Sequence, residues 1–331
     1  MIVPLSELAK HGHEIEFRAA GDQGDKDTGA GAVTLRDLQG DYDLIVAQRW
    51  NKHAALDIWR RARTPLNRLV YETDDDVFSV TPVNWASYHL YGRPEVRDAV
   101  THMAETADLI TVTTPHLAGV MREHGSTIAV LPNSIPAWTL DTVREPRARP
   151  SAGWMGGASH GADVGLIIAP VRRFLQRFPG WELRLCGTDY RPSFKAGEQA
   201  VFSNWIPVYK DERGYFNTLD FDIGLIPLAG DEFSKSKSNI KALEYGARGI
   251  PSIATDCEIY RSFIRHGENG FLVREEHEWL KFMSMLASDS ALRVKMGEQA
   301  RQDVQAWTIE RNYGLWEQAY KSLFTVRSRG V

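Results

Sequence analysis

Hydrophobic positions along the chain switch repeatedly between two periods. The runs EIEFRA (14–19), DLIVAQ (43–48), RLVYET (68–73), LITVT (109–113) and IAVLPN (128–133) read as strands, and helical spacing of apolar residues falls between several of them. That succession predicts parallel βαβ units. After residue 133 the pattern lapses into SIPAWTLDTVREPRARPSAG, where Pro136, Pro146 and Pro150 stand among charges as in a linker. It restarts with AGWMGG (152–157). Val164, Ile167, Ile168, Val171, Phe174, Leu175 and Phe178 then recur at helical spacing before the strand WELRLCG (181–187). Further strands are predicted at DIGLIPL (222–228), PSIAT (251–255) and GFLV (270–273), followed by a mostly helical C-terminus from about residue 276.

This reading makes the chain α/β, with a first domain over 1–135, a linker over 136–151, a second domain over 152–307 and a terminal helix over 308–331. The chain opens in a helix-like segment (2–11) and not in a strand with a glycine-rich turn, so the first domain is expected to lack its first strand. In the terminal segment Tyr313, Trp316, Tyr320 and Phe324 share one helix face, a stripe suited to anchoring that helix on the first domain; packing on the second is the alternative.

Composition narrows the class. A length of 331 residues suits about two domains, and 43% hydrophobic with 25% charged residues is globular, not disordered. A formal net charge of −4 argues against an indiscriminate grip on nucleic acid. No apolar run approaches the roughly 20 residues of a membrane span. The N-terminus carries a charge every few residues and does not read as a secretory signal. Cys186 and Cys257 read as reduced thiols of a cytoplasmic protein, in preference to a disulfide or a metal site.

The densest chemistry lies in DIGLIPLAGDEFSKSKSNIKALEYGARGIPSIAT (222–255), read as strand, polar loop, helix and strand, with Gly249 closing the helix. A helix starting near Ser238 would leave the backbone N–H groups of Asn239, Ile240 and Lys241 for an anion, and Lys235 and Lys237 add positive charge there. Glu244, leaning back toward that end, is placed to accept hydroxyls of a sugar attached to a bound phosphate. A capped amphipathic helix with solvated lysines is the alternative.

The ordered runs FDIGLIPL, KSKSNIKALEYGARGIPSIA, YRSFIRHGENGFLV and EWLKFMSMLASDSALRVKMGEQAR resemble the C-terminal domain of GT-B glycosyltransferases of family four. RLVYETDDDVF, ADLITVTTPHLAGVM and VLPNSI resemble its N-terminal domain, especially in the short bacterial and phage-type members. The resemblance covers nearly the whole chain from about residue 4. It implies two Rossmann-like doubly wound domains facing a cleft and a UDP- or GDP-sugar donor held mainly by the second. It also implies transfer to an acceptor hydroxyl with retention of configuration, and no required metal or other cofactor. Of the family's paired glutamates, Glu244 matches the ribose-binding second, whereas Ser236 stands at the place of the first, so donor-sugar specificity does not carry over.

A second departure follows the strand AGWMGG. Where the family often has Gly-Arg and Lys-Gly bracing the diphosphate, this chain has Gly156-Gly157 and His160-Gly161. The glycine pair admits a ligand closely, and His160 is either a diphosphate or sugar contact or simply a helix-start histidine. Lys235 and Lys237 are expected to supply part of the missing charge. Tyr209 falls where the family seats the base, as a stacking residue or a core aromatic.

Asp74, Asp75 and Asp76 end the strand RLVYET as acceptor-side candidates, one of them expected to have a raised pKa and to orient or deprotonate an acceptor hydroxyl. Turn capping and a GT-A-like metal motif are the alternatives. Arg49, Lys52, Arg60, Arg61, Arg63 and Arg68, with Trp85, Tyr88, His89 and Tyr91, are candidates to face an acceptor that is a protein, glycan, lipid or modified DNA base. Two competing readings are a silent nucleotide-sugar or glycan-binding module, suggested by Ser236 and Gly157, and a GT-B-like epimerase or phosphorylase.

Overall fold

The computed structural model describes residues 2–18, 42–51, 53–125, 127–142, 144, 147–204, 206 and 211–325. It divides into two compact units: Met1–Asn133 with Lys235–Ser238 and Ile309–Val331, and Ser134–Ser234 with Asn239–Thr308. Among the described residues no helix is long and apolar enough to cross a membrane.

The first unit holds a parallel sheet of β1 (Leu44–Gln48), β2 (Arg68–Thr73), β3 (Leu109–Val112) and β4 (Ile128–Val130), in that spatial order. β2 and β3 are buried on both faces, which is why they read as near-continuous apolar runs. Leu69, Tyr71, Ile110 and Val112 pack on one side against Leu56 and Trp59 of the helix His53–Ala62 and Met103 of Pro94–Thr106. On the other side Val70, Leu109 and Leu131 meet Leu8 of the helix Ile2–Lys10 together with Trp316 and Tyr320 of the helix Ile309–Thr325. From the same terminal helix Tyr313 stacks on His11 with ring centroids 3.8 Å apart, while Phe324 is exposed and lies under the Arg68 guanidinium.

Over the described part of the run expected as a strand at 14–19, no strand forms. Its alternation leaves every side chain from Glu14 to Arg18 at least partly exposed, so no apolar face demands a place in a sheet.

The second unit is built on six parallel strands, β5 (Ser151–Gly156), β6 (Glu182–Gly187), β7 (Ala200–Asn204), β8 (Ile223–Ile226), β9 (Ser252–Thr255) and β10 (Gly270–Val273), in the order β10-β9-β8-β5-β6-β7. The edge strand β7 escapes the sequence pattern because only Ala200 in it is buried. Trp154, Leu183, Leu185, Ile223 and Ile253 face Val171 and Phe174 of the helix Ile168–Arg177 and Phe282 of Glu276–Ser288. Met155, Cys186, Ile226 and Ala254 face Leu243 and Tyr245 of the helix Ile240–Ala247. Residues 134–150 group with this unit; Arg144 pairs with Asp222 at 3.0 Å and Arg147 with Asp220 at 3.2 Å. Cys186 and Cys257 are both free thiols.

The helix Ile240–Ala247 ends in a Schellman turn. Gly249 has φ +64° and donates to the Gly246 carbonyl at 2.8 Å, and Ile250 donates to the Tyr245 carbonyl at 2.9 Å. The helix Ser290–Val304 comes so close that a Cβ at Gly297 would fall 2.1 Å from the Gly249 carbonyl oxygen. Gly297→Ala should therefore destabilise the protein by about 1–3 kcal/mol or more, since the obstruction is backbone. Gly314→Ala, on the helix Ile309–Thr325 with open space around it, should instead stabilise by about 0.5–1 kcal/mol. Urea denaturation of both variants checks the opposite signs.

Candidate functional site

Within the second unit the chain leaves β5 at Gly156-Gly157, makes a short 3-10 turn over Ala158–His160 and enters the helix Gly161–Gly165. Asp163 on that helix is buried, and its carboxylate accepts on both oxygens: from His160 Nδ1 at 2.6 Å, and from the backbone N–H of Ala229, just past β8, at 2.6 Å. The other ring nitrogen of His160 lies 3.2 Å from Lys241 Nζ. Lys241 belongs to the first turn of the helix Ile240–Ala247, and its ammonium also lies 5.5 Å over the Trp154 ring. Trp154 meets His160 edge-on at 6.0 Å and Tyr190 at 5.4 Å.

One turn beyond Lys241 on the same face, Glu244 is buried and accepts a 2.9 Å hydrogen bond from the Tyr215 hydroxyl. Burial pushes its carboxyl up to about 7, against the opposing pull of the Tyr215 hydrogen bond and the Lys241 charge. The Tyr215 phenol is driven well above its ordinary value by the same burial and by Glu244. The glycine pair differs within itself. A Cβ at Gly156 would lie 2.6 Å from the Trp154 ring and 3.0 Å from that of His160, whereas one at Gly157 would meet nothing within 4 Å. Gly156 thus lets the two rings pack, and Gly157 leaves open space beside them.

The first unit carries its own polar cluster at the end of β2. Arg49 follows β1 with a left-handed φ of +51° and donates to both Asp74 and Asp75. Lys237 adds a second cation to Asp75 at 2.7 Å. Asp76 is buried and accepts from the backbone N–H groups of Phe78 and Ser79 at 3.0 and 3.2 Å, so this carboxylate caps a turn. The carboxyl that is pushed up here, to about 7, is that of Glu72, through burial and the neighbouring Asp74. Among the described residues, its Oε2 and the Oγ1 of its cross-strand neighbour Thr111 are buried without a hydrogen-bond partner.

Of the residues singled out from the sequence, Gly156, Gly157, His160 and Glu244 belong to one constellation in the second unit. Lys235, Lys237 and Ser238 group with the first unit. The helix begins at Ile240 and not near Ser238, because Ser238 Oγ accepts from Asn133 at 2.7 Å and Asn239, in the capping position, turns its amide to Ser262 Oγ at 3.0 Å. Ile240 packs half-buried against the core and offers no polar side chain. Ser236 is fully buried, and its carbonyl accepts from Thr114 Oγ1 at 3.3 Å. Tyr209 and Lys52 lie outside the described residues.

Several basic residues of the first half serve the fold. Arg60 donates to His102, Arg61 and Arg63 pair with Asp57 and Asp108, and Arg68 donates to the carbonyls of Asn67 and Leu323. Trp85 remains 70% exposed beside His89. Sequence reasoning, which placed only the backbone N–H of Lys241 at an anion site, missed the Lys241 side chain together with Asp163, Tyr215 and Trp154 as members of the second-unit constellation. Lys241 and Glu244 at three-residue spacing on one helix was the available signal; the others meet only through the fold.

Residues 149–289, which belong to the second unit except for Lys235–Ser238, match the family model described as glycosyl transferases group 1. No curated protein matches the chain. Sucrose-phosphate synthase from Thermosynechococcus elongatus is structurally similar with a TM-score of 0.61 at 17% identity, over 88% of this chain and 76% of that one. HepE of Anabaena, solved in complex with UDP-glucose, aligns with a TM-score of 0.61 at 15% identity, over 86% of this chain and 79% of that one. The pneumococcal O-GlcNAc transferase GtfA, in complex with UDP and GlcNAc, aligns with a TM-score of 0.60 at 12% identity, over 88% of this chain and 59% of that one. The chain thus spans less than two thirds of GtfA. Two α/β units on parallel sheets, with this likeness and a glycosyl transferases group 1 match over 149–289, give the chain the GT-B glycosyltransferase fold.

Proposed function

We propose that the chain is a glycosyltransferase that binds a UDP- or GDP-sugar on its second unit and transfers the sugar to an acceptor hydroxyl with retention of configuration. The carrying observation is the buried Glu244 carboxyl, held by Tyr215 one helical turn from Lys241, inside the segment that matches the family model. In this reading Glu244 accepts the ribose hydroxyls, and Lys241 and His160 meet the diphosphate where charge develops as the sugar departs. The open space at Gly157 admits the diphosphate close to the backbone. UDP in the solved HepE and GtfA complexes favours a uridine nucleotide. No protein nucleophile is assigned, and Asp74 and Asp75, gathered by Arg49, are the acceptor-side candidates. The cations of the chain meet the diphosphate charge, so transfer should persist in EDTA.

A second reading, a binder without transferase activity, is favoured by Ser236, which is fully buried with no hydrogen-bond partner for its hydroxyl among the described residues, where the family has a glutamate. Slow hydrolysis of a nucleotide-sugar without acceptor separates the two, because only a transferase turns over the donor.

A thermal-shift screen with UDP-, GDP-, ADP- and TDP-sugars should show stabilisation by the UDP or GDP compounds. Stabilisation by none of them would remove the donor assignment. Glu244→Ala should then weaken nucleotide binding by about 1.5–3 kcal/mol while circular dichroism stays native, the range for hydrogen bonds to a charged group. Unchanged affinity in a folded variant would take Glu244 out of the site.

Glu244 also makes a stability prediction. A carboxyl raised to about 7 in the folded protein favours its protonated form, so its contribution is full below the ordinary carboxyl range and is lost as pH rises through 7. Glu244→Gln should be more stable than the parent at pH 8 by up to about 3 kcal/mol, with the gain vanishing near pH 4. Denaturation midpoints measured across that range check the sign.

A further inference from the structure

We propose that Asp163, His160 and Lys241 form a proton-coupled clasp for the diphosphate of a nucleotide-sugar, in which His160 takes up a proton as the anion binds. The inference rests on the donor-site reading above and adds how the site recognises its anion.

The protonation of His160 follows from its two neighbours. Asp163 is a carboxylate already accepting from the Ala229 N–H, and as an ionised acid it can only accept; the 2.6 Å contact to His160 Nδ1 therefore places a hydrogen on Nδ1. Lys241 as an ammonium can only donate, so His160 Nε2, 3.2 Å from Nζ, accepts. In this arrangement His160 is the neutral Nδ1–H tautomer, fixed by a buried carboxylate on one side and an ammonium on the other. The ring has little freedom to turn aside, because Trp154 meets it edge-on at 6.0 Å and a Cβ at Gly156 would already lie 3.0 Å from it.

Several charged and titratable groups among the described residues stand around the imidazole. Asp163 and Lys241 touch it, and Glu244 lies one turn beyond Lys241. Tyr190 donates its hydroxyl to the Ala158 carbonyl at 3.2 Å, and Tyr260 feels the Asp163 charge from the helix Glu258–Arg261. A diphosphate reaching the open space beside Gly157 draws the N–H groups of Lys241 to its own oxygens. His160 Nε2 then loses its donor and faces oxygen anions with a lone pair. A proton on Nε2, taken from solvent, turns that repulsion into a charge-assisted hydrogen bond, and the imidazolium so formed lies between the Asp163 carboxylate and the phosphate. The loop thereby presents a cation in place of the arginine that this chain lacks at Gly157, with Asp163 as the positioning residue.

Isothermal titration calorimetry of the full chain tests this with UDP-glucose and with GDP-mannose, each at pH 7.5 in HEPES and in Tris, whose ionisation enthalpies differ. Both probes carry a diphosphate diester that does not titrate near neutrality, so buffer-dependent heat reports protons exchanged by the protein. Proton uptake should be greater in the parent than in His160→Gln by up to about one proton. The comparison cancels Glu244, which is present in both. Asp163→Asn should lower the uptake in the same direction, and His160→Gln and Lys241→Gln should each weaken the nucleotide-sugar by about tenfold or more while leaving uridine or guanosine affinity unchanged. Binding with equal proton uptake in the parent and His160→Gln overturns the clasp and leaves the donor site standing. Failure of both probes to bind overturns the donor-site reading and the clasp with it.

Discussion

The seat of the helix Ile240–Ala247 on its sheet is built around a buried tyrosine. Tyr245 is fully buried, its hydroxyl accepts the Met155 backbone N–H of β5 at 3.1 Å, and its ring meets Phe221 edge-on at 4.9 Å. The sheet makes room with glycines: a Cβ at Gly224 would fall 2.3 Å from the Tyr245 ring, and one at Gly153 2.1 Å from that of Phe221. A close-packed seat of this kind leaves the helix little freedom to slide or roll. Lys241 and Glu244, one turn apart, inherit their positions from it, and so does the contact with His160.

Around that helix the buried charges are satisfied in pairs. Asp163 receives two donors, one of them a backbone N–H at the end of β8, and Glu244 receives the Tyr215 hydroxyl. The carboxyl that burial raises to about 7 has one fixed donor beside it, while Asp163 is held on both oxygens. Donors fixed before a ligand arrives do not have to reorganise as charge develops, which is the physical basis for placing a departing diphosphate here.

In the first unit three consecutive aspartates have three different surroundings. Asp74 faces Arg49, Asp75 lies between Arg49 and Lys237, and Asp76 turns inward to cap the backbone at Phe78 and Ser79. Successive side chains leaving a strand point in different directions, so a triplet that looks like one acidic site in sequence is divided by geometry. Glu72, two residues before Asp74 and on the sheet itself, keeps a buried oxygen with no hydrogen-bond partner among the described residues.

The amino-acid sequence by itself determined the α/β class and the strands buried on both faces. RLVYET and GFLV match β2 and β10 residue for residue, the first through its apolar run Leu69–Tyr71 and the second through Phe271–Val273, since a strand covered on both faces favours such runs. It determined the Schellman glycine at Gly249, whose left-handed φ only glycine adopts freely, and it marked Glu244 through its spacing on an amphipathic helix. Only the tertiary structure decided the edge strand β7, since this strand buries only Ala200 and so leaves no apolar pattern. It also decided the helix start, since the hydroxyl of Ser238 goes to Asn133, 105 residues away in sequence, and the partners of His160, since Lys241 lies 81 residues from it. Local periodicity records which face of an element is buried. It carries no record of which distant side chain arrives to share a proton.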